Sequence, residues 1–462
     1  MPVLLIDDKD RLGGKLVLQT HRFFGSVEAV HAGTRGTHIG ERLARAALAF
    51  DTTEVWAEST ALAAFADGWV GVWRGGARYA LVRPQVLLVA TGSRERALPF
   101  RGNTRPGVLG AGAFQTLLNR DLVRVADRLF VVGGGNVGLI TAYHALQAGV
   151  SVVGLAEAAP ECGGYRVHRD KLARLGVPIF TSHTVLAAHG SPAQEDRDGP
   201  GAPDDGRVAA VTIARVDERF QPVPGTERTF ACDAVLVAVG LDPVDELTAQ
   251  ARAAGIRVVA AGDAERIAEA SAAIMAGRIR GREIAHALGA PAEPVPADWA
   301  RTAELLRSKP GSAVAEPPAP PAVGVHPVFH CTQEIPCNPC TSVCPQALIH
   351  IDPDDLRQVP TLLEGACLGC ERCVRVCPGL AITLVDHRED PERPLVTVPF
   401  EFVADAVHAG DVVALLDTVG GVLGEAEVLR VRGAPRARRA DAAASGDRPP
   451  KAAGGVDGTL LV

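Results

Sequence analysis

Apolar runs of the length of a buried strand recur through residues 1–290, separated by glycine turns and helix-like segments such as 39–50. The runs at 3–7 (VLLID), 85–93 (QVLLVATGS) and 231–243 (ACDAVLVAVGLDP) contain few polar residues, as expected of parallel strands covered on both faces. Residues 54–81 instead alternate apolar and polar positions, which predicts a small antiparallel sheet. Strands alternating with helices predict an α/β fold.

One glycine-rich turn lies where a bound nucleotide would require it. Gly133-x-Gly135-x-x-Gly138 follows a strand and opens a helix that begins near Asn136, and Glu157 closes the next strand 24 residues after Gly133. This order predicts a pyrophosphate at the helix N-terminus and a ribose on the acid. An acid at this position favours NAD over NADP. A Rossmann domain that binds no nucleotide, or binds ADP or ATP, remains an alternative.

Three further turns are candidates for a second cofactor. Asp7 ends the first strand and is followed by Gly13-Gly14, as an acid that binds an adenosine ribose would be, although a solvated strand end is the alternative. Small residues end another strand, and a Gly-Asp pair precedes an Ala-rich helix whose N-terminus would face a phosphate. These positions are Ala90, Thr91 and Gly92, and Gly262 and Asp263.

The strand and glycine-rich loop that precede such an acid in dinucleotide folds are not found before Asp7. We expect a start codon assigned too far downstream. The alternative is a degraded site that binds flavin weakly or not at all.

Eight of the ten cysteines lie between residues 331 and 377. The second run has the bacterial ferredoxin spacing C-x2-C-x2-C-x3-C-P, while in the first run Glu334 stands at the first cysteine position and Cys331 lies three residues earlier. Since the fourth cysteine of each run ligates the other cluster, the spacing predicts two [4Fe-4S] clusters. One is held by Cys331, Cys337, Cys340 and Cys377, and the other by Cys344, Cys367, Cys370 and Cys373. Structural zinc and disulfides are the alternatives.

Composition limits the classes of function and the cellular compartment that fit this chain. The formal net charge of −7 does not suggest nucleic-acid binding, and 47% hydrophobic residues are ample for buried cores. Two aspartates stand too early for a signal peptide, and no apolar stretch is long enough to span a bilayer. Oxygen-sensitive clusters fit a reducing cytoplasm, so we expect a cytoplasmic protein.

The motifs ATG at 90–92, GGGNVG at 133–138, AVG at 238–240 and GD at 262–263 occur in an order that resembles the pyridine-nucleotide-disulfide oxidoreductase superfamily. Within it, 19–26 (QTHRFFGS) and 110–119 (GAGAFQTLLN) are similar to the α subunits of sarcosine oxidase and of dye-linked proline or opine dehydrogenases. No cysteine pair of the thioredoxin-reductase type occurs in residues 1–290, so that disulfide chemistry is excluded. Cys162 and Cys232 are expected to be inert.

The resemblance implies two Rossmann-like domains. An FAD domain of two pieces (1–108 and 241–289) would surround an NAD(P) domain (109–240). His21 would lie near the flavin, as a weak candidate for an acid–base role or, more simply, for packing. Beyond these domains we predict a helix and Pro-rich linker (290–325), a ferredoxin-like α+β domain (326–390), a small β unit (391–432) and a largely disordered tail (433–462) whose GTLLV end adds a strand.

Three functions are compatible with this organisation. The first is an FAD enzyme that passes electrons between NAD(H) and the two clusters, and then to a redox partner. The second is the α subunit of an amine or imino-acid dehydrogenase, with the substrate site on a β subunit. The third is a non-catalytic iron–sulfur scaffold. A hetero-oligomer is expected.

Overall fold

The computed structural model describes residues 1–190, 206–315, 319–401, 407–433 and 458–461. The strands in chain order are β1 Val3–Ile6, β2 Thr53–Trp56, β3 Ser59–Ala64, β4 Val70–Arg74, β5 Arg78–Val82, β6 Leu87–Val89, β7 Ser93–Glu95, β8 Val108–Gly110, β9 Arg128–Val132, β10 Ser151–Glu157, β11 Ile179–Thr181, β12 His183–Gly190, β13 Val208–Arg215, β14 Arg228–Ala231, β15 Ala234–Val237, β16 Leu241–Pro243, β17 Val258–Ala260, β18 Val325–Phe329, β19 Ile349–His350, β20 Thr361–Leu362, β21 Ile382–Asp386, β22 Leu395–Phe400, β23 Val412–Leu416, β24 Val422–Glu427, β25 Arg430–Gly433 and β26 Gly458–Leu461.

Within the described ranges the helices are fewer than the strands. They are α1 Val27–Val30, α2 Gly36–Leu48, α3 Ala111–Gln115, α4 Asn136–Gln147, α5 Arg166–Arg174, α6 Glu246–Ala253, α7 Ala270–Ala287, α8 Ala297–Arg307, α9 Pro339–Val343 and α10 Arg372–Val376. Short 3₁₀ segments lie at Gly14–Leu18 and Gly262–Ala264, and a π-helical turn lies at Thr116–Arg120. In the part of the chain that is described, no helix has both the length and the apolar character needed to cross a membrane.

The chain divides into two compact units. The first unit comprises residues 1–96 and 240–309, and the second comprises 97–239 and 310–462. The unit interrupted in sequence is therefore the first one.

The first unit is built from small sheets. Strands β1 and β2 form one parallel pair and β6 and β17 another, while β3, β4 and β5 form the antiparallel sheet that the alternation at 54–81 predicts. Val70 and Val72 are fully buried and pack with Ala251 and Ile256 of the α6 region. Ile6 of β1 and Leu87 of β6 contact the same core, which therefore links both parallel pairs to the antiparallel sheet.

The second unit begins with a five-stranded parallel sheet in the order β11-β10-β9-β15-β8. In β9 and β15 nearly every side chain is buried, because α3 and α4 cover one face of the sheet and the antiparallel strands β12, β13 and β14 cover the other. The strand–loop–helix–strand order β9-α4-β10 places residues 133–135 at the carboxyl end of the sheet. This is the position at which open α/β sheets bind ligands.

The cysteine-rich segment folds around an antiparallel sheet in the order β18-β21-β22-β26-β25. Strand β22 was assigned from sequence to a separate β unit starting at residue 391, but it pairs with β21 and continues the same sheet. The predicted tail at 433–462 lies mostly outside the described residues. Its described end forms β26, the expected last strand, which pairs with β22 and β25.

Candidate nucleotide and iron–sulfur sites

Two glycines allow the loop after β9 to pack closely. Gly133 has φ +110°, and a Cβ on it would lie 2.3 Å from the Ala238 carbonyl oxygen. A Cβ on Gly138, in the first turn of α4, would lie 2.0 Å from the Gly133 carbonyl oxygen. Both contacts are with backbone atoms that cannot rotate away. These positions therefore require glycine so that the helix can approach the sheet.

The middle glycine of the motif has a different environment. Gly135 is the N-cap of α4, and no atom lies within 4 Å of the position that a Cβ would occupy. An open space in front of a helix N-terminus fits an anionic group. The first residue of α4, Asn136, is fixed to the segment that follows β10, because its side-chain oxygen accepts a hydrogen bond from the Tyr165 backbone N–H at 2.6 Å.

Glu157 at the end of β10 turns back to the glycine loop. Its carboxylate accepts hydrogen bonds from the backbone N–H groups of Gly134 (2.7 Å) and Ala159 (2.8 Å). A carboxylate fixed beside the loop can accept further hydrogen bonds from sugar hydroxyls and would repel a phosphate in the same place. The predicted residues Gly133, Gly135, Gly138 and Glu157 are therefore brought together at one edge of the sheet.

Cys162 also lies beside this loop, with its sulfur 2.8 Å from the position that a Cβ on Gly134 would occupy. Burial, with Glu157 nearby, raises the pKa of the Cys162 thiol to about 11. Burial likewise raises the pKa of Cys232 to about 12. Both groups are neutral thiols near pH 7, as expected of inert cysteines.

In the first unit, Asp7 follows β1 as the sequence predicts. Its Oδ1 accepts a hydrogen bond from the Lys9 backbone N–H at 3.0 Å, and burial raises the pKa of its carboxyl group. Gly13 and Gly14 both have positive φ, and Gly13 is the N-cap of the 3₁₀ turn Gly14–Leu18. His21 is buried and stacks on Phe23 at 5.2 Å between ring centroids, an environment typical of packing.

The two other predicted turns of this unit are close to each other. Asp263 accepts hydrogen bonds from Ser93 Oγ (3.0 Å) and from the Ala268 backbone N–H (3.2 Å), and Ser93 directly follows the turn Ala90, Thr91 and Gly92. Burial raises the pKa of Asp263. However, Gly262 and Asp263 lie in a 3₁₀ turn, and α7 begins only at Ala270. The sequence predicted Asp263 at the start of a helix, but in the structure it lies before that helix.

The four cysteines predicted to hold one cluster surround a single cavity. The open cavity has a volume of about 390 Å³ and is also lined by leucines 348, 362, 368 and 384. Its cysteines are Cys344, Cys367, Cys370 and Cys373. Among the described residues no three ligand side chains converge tightly enough for a single metal ion.

The other predicted set lies deeper in the fold. Cys340 and Cys377 are buried, and burial raises the pKa of the Cys340 thiol, with Cys377 and Cys331 adding to the effect as neighbouring thiols. Burial also raises the pKa of Cys331 to about 12, again with Cys377 nearby. The structure thus brings Cys331, Cys340 and Cys377 together. Cys337 lies on the adjoining loop, where its N–H donates to the Leu356 carbonyl. None of the ten cysteines, all of which lie in the described ranges, forms a disulfide.

The stretched loop after Cys331 is held by the segment predicted to be a linker. Backbone hydrogen bonds join Gly311 N–H to the Glu334 carbonyl (2.8 Å) and Glu334 N–H to the Ser312 carbonyl (3.1 Å). Glu334, which replaces the expected cysteine, therefore faces residues 311–312. The extra residues form a local pairing while Cys331 lies beside the other thiols.

Helix α5 of the nucleotide-type domain supports the buried set. At its N-terminus, the Arg166 N–H donates to Gln333 Oε1 at 2.9 Å. Along the helix, a Cβ on Gly379 would lie 3.0 Å from Val167, so the turn after Cys377 packs directly on the helix. At its C-terminus, Arg174 donates to the Leu380 carbonyl at 3.5 Å. No pattern in the sequence predicts this contact, which joins segments about 200 residues apart.

Comparisons with known proteins agree with this architecture. Residues 74–266 match the family described as pyridine nucleotide-disulphide oxidoreductase, and residues 331–389 match the 4Fe-4S dicluster domain. These two matches define the class of the two segments: residues 74–266 are similar to the pyridine nucleotide-disulphide oxidoreductase domain, and residues 331–389 are similar to an iron–sulfur dicluster domain.

Among curated proteins, hydrogen cyanide synthase subunit HcnB of Pseudomonas aeruginosa is 28% identical over 54% of this chain and 54% of its own length. Sarcosine oxidase subunit alpha of Rhizobium meliloti is 27% identical over 48% of this chain and 21% of its own. The chain thus spans about half or less of the length of these relatives. Among solved structures, L-proline dehydrogenase from P. horikoshii has a TM-score of 0.45 and 18% identity, with 69% of this chain and 56% of that chain covered.

Proposed function

We propose that this chain is an iron–sulfur flavoprotein that connects a nicotinamide nucleotide to two [4Fe-4S] clusters and a redox partner. The observation that carries the proposal is the position of α5. This helix follows the glycine loop and Glu157 in the chain and packs against the turn after Cys377. A nucleotide-type fold and a predicted cluster site thus share one rigid element.

The residues that would hold NAD(H) are those at the loop. The open space at Gly135 would receive the pyrophosphate, and Glu157 would accept from the adenosine ribose. The carboxylate supports NAD over NADP, because a 2′-phosphate beside Glu157 would meet like charge.

In the first unit, FAD would be held by Asp7, Gly13, Gly14, the turn at 90–92 and Asp263. Asp263 is already positioned by Ser93, which leaves its remaining lone pairs for a hydroxyl group of the cofactor. A flavin exchanges two electrons with a nicotinamide and single electrons with iron–sulfur clusters, so the protein's own contribution is placement and electrostatics.

The two cysteine sets differ in exposure, and this supports an order for electron flow. Two cysteines of one set, Cys340 and Cys377, are buried, whereas Cys373 is the only buried cysteine of the other set, which lines a cavity together with the exposed leucines Leu362 and Leu368. We assign the buried set to internal transfer and the open set to exchange with a partner protein. Free thiols throughout support a reducing compartment such as the cytoplasm.

A second function is favoured by the relatives. Both curated proteins described above are named as subunits. By analogy, this chain would be the α-type subunit of a hetero-oligomer that oxidises an amine or imino acid on another subunit, and the site at Gly135 would hold a structural nucleotide.

Anaerobic NADH:viologen reductase turnover distinguishes the two functions. The first predicts steady turnover by the isolated chain once flavin and iron are bound. Full cofactor loading without any turnover would reject it and favour the second. Gly135→Ala is the matched variant, because its methyl group enters open space in the fold but blocks the proposed pyrophosphate position; turnover that is unchanged in this variant would also count against the first function.

A further inference from the structure

The two halves of the cysteine-rich domain offer nearly the same backbone to their fourth cysteines. The Leu348 N–H donates to Cys344 Sγ at 3.4 Å, and the Ala381 N–H donates to Cys377 Sγ at the same distance, each from four residues further along the chain. Hydrogen bonds to sulfur raise a cluster's reduction potential. The two backbone contributions are similar but not equal, because the N–H groups of Gly379 and Leu380 also act on Cys377.

The side-chain charges are not matched. Helix α5 carries Lys171 and Arg174 next to Cys377: both cations interact electrostatically with this thiol, and Arg174 also donates to the Leu380 carbonyl in the turn that follows it. Lys171 is 3% exposed and lies 3.7 Å from the centroid of the Tyr143 ring. Because Lys171 is almost inaccessible to solvent, its charge acts at low effective dielectric and is little screened by salt.

The opposite charges around these cations are also defined. Tyr143 donates to Glu401 Oε2 at 2.8 Å, and this buried carboxylate interacts electrostatically with Lys171. Asp170 is engaged by the neighbouring Arg169. Glu401 therefore offsets part of the effect of Lys171, while Arg174 adds to it.

Near the other cysteine set, the described cations are paired with carboxylates: Arg432 forms an ion pair at 2.8 Å with buried Glu371, which lines the cavity of this set. Arg388 acts on Cys367, but its side chain is 58% exposed and forms an ion pair with Asp386 at 2.6 Å. Water and the partner carboxylate screen such a charge.

We propose that Lys171 and Arg174 are positioning residues that raise the reduction potential of the cluster on Cys331, Cys337, Cys340 and Cys377 above that of the other cluster. Reduction adds one electron and therefore one negative charge to the cluster, with no proton transferred, and fixed positive charge stabilises the reduced form. The buried cluster is thereby the preferred location for the first electron. This inference rests on the proposed occupancy of the cysteines.

The test is an EPR-monitored redox titration of the anaerobically reconstituted full-length chain. Lys171→Met keeps an apolar stem without the charge and should lower one midpoint by a tenfold change in the reduction equilibrium, about 59 mV for one electron, with the second midpoint unchanged. Glu401→Gln keeps an acceptor for Tyr143 and should raise the same midpoint. Lys171→Arg keeps the positive charge and should leave this midpoint at the value of the unsubstituted chain.

Arg219→Gln is the matched control, since it removes one exposed positive charge from the turn between β13 and β14. Shifts of the same sign in Lys171→Met and Glu401→Gln would indicate loosened packing and overturn the inference, as would two unmoved midpoints. If Lys171→Met fails to load iron, the upward shift in Glu401→Gln decides by itself. Absence of iron from the unsubstituted chain would instead reject the proposed function together with this inference.

Discussion

Replacing Gly138 by alanine has two opposing effects on the free energy of unfolding. Gly138 lies in α4, and alanine in a helix interior is favoured over glycine by about 1 kcal/mol. Against this, the new Cβ would lie 2.0 Å from the Gly133 carbonyl oxygen, whereas ordinary contacts begin near 3.4 Å. Helix and loop would have to separate by about 1.4 Å, the difference between these distances.

Backbone hydrogen bonds restrain the glycine loop after β9 from moving away from α4. The Gly133 N–H is bonded to the Ala156 carbonyl at 2.8 Å, and the Gly134 carbonyl accepts from the Gly164 N–H at 3.0 Å. Overpacking of this kind costs about 1–3 kcal/mol and here involves rigid backbone. Because rigid backbone must move, we take the upper part of this range, about 2–3 kcal/mol, and after subtracting about 1 kcal/mol of helix propensity we expect Gly138→Ala to be destabilised by about 1–2 kcal/mol.

Hydrogen exchange measured by mass spectrometry is the suitable assay. All four tryptophans (56, 69, 73 and 299) lie in the first unit, so their fluorescence would not report on this domain. Peptides covering 128–157 should exchange about 5–30 times faster in Gly138→Ala, which is the factor for one to two kcal/mol. Gly281→Ala in α7, where no atom lies within 4 Å, should exchange no faster than the parent. Unchanged or slower exchange in Gly138→Ala would refute the reasoning.

Three other predictions concern the sites. Glu157→Gln should weaken NADH binding about tenfold to a hundredfold in calorimetry, because a carboxylate that holds the glycine loop and the ribose is lost. Cys162, whose pKa is raised to about 11, should be alkylated far more slowly at pH 8 than an ordinary cysteine, and the rate in peptide mapping should rise as the pH approaches that value. Cys377→Ala and Cys344→Ala should each lose one cluster by iron analysis and EPR, but not the same one.

Each of these predictions has its own contradicting result. NADH affinity equal to that of the parent would remove Glu157 from the site. Rapid alkylation of Cys162 near pH 7 would show that its thiol is not desolvated. If Cys377→Ala and Cys344→Ala abolished the same signal, the exchange of the fourth cysteine between the two runs would be wrong.

The local motifs could be predicted because their chemistry depends on spacing within a short segment. Gly133, Gly135 and Gly138 each occupy the position that the pattern predicts, and Glu157 reaches the loop because β10 is parallel to β9. The cysteine spacing likewise predicted the set that surrounds the cavity, with Cys344 taken from the first run.

What could not be predicted depends on contacts between distant segments. Nothing near Gln333 or Gly379 in the sequence indicates that they pack on α5, since the contact is made by ordinary backbone and apolar atoms. The pairing of residues 311–312 with Glu334 was also missed, because a Pro-rich composition predicted only a linker. The GG pair at 163–164 was a signal available in the sequence for the turn that covers Asn136.

The most direct test is anaerobic titration of the fully reconstituted chain with NADH, followed by optical and EPR spectroscopy. We predict one bound flavin, about eight irons, and stoichiometric reduction of both chromophores by NADH. A protein that binds all of the iron but acquires no flavin, or one that binds both and is not reduced by NADH, would contradict the account.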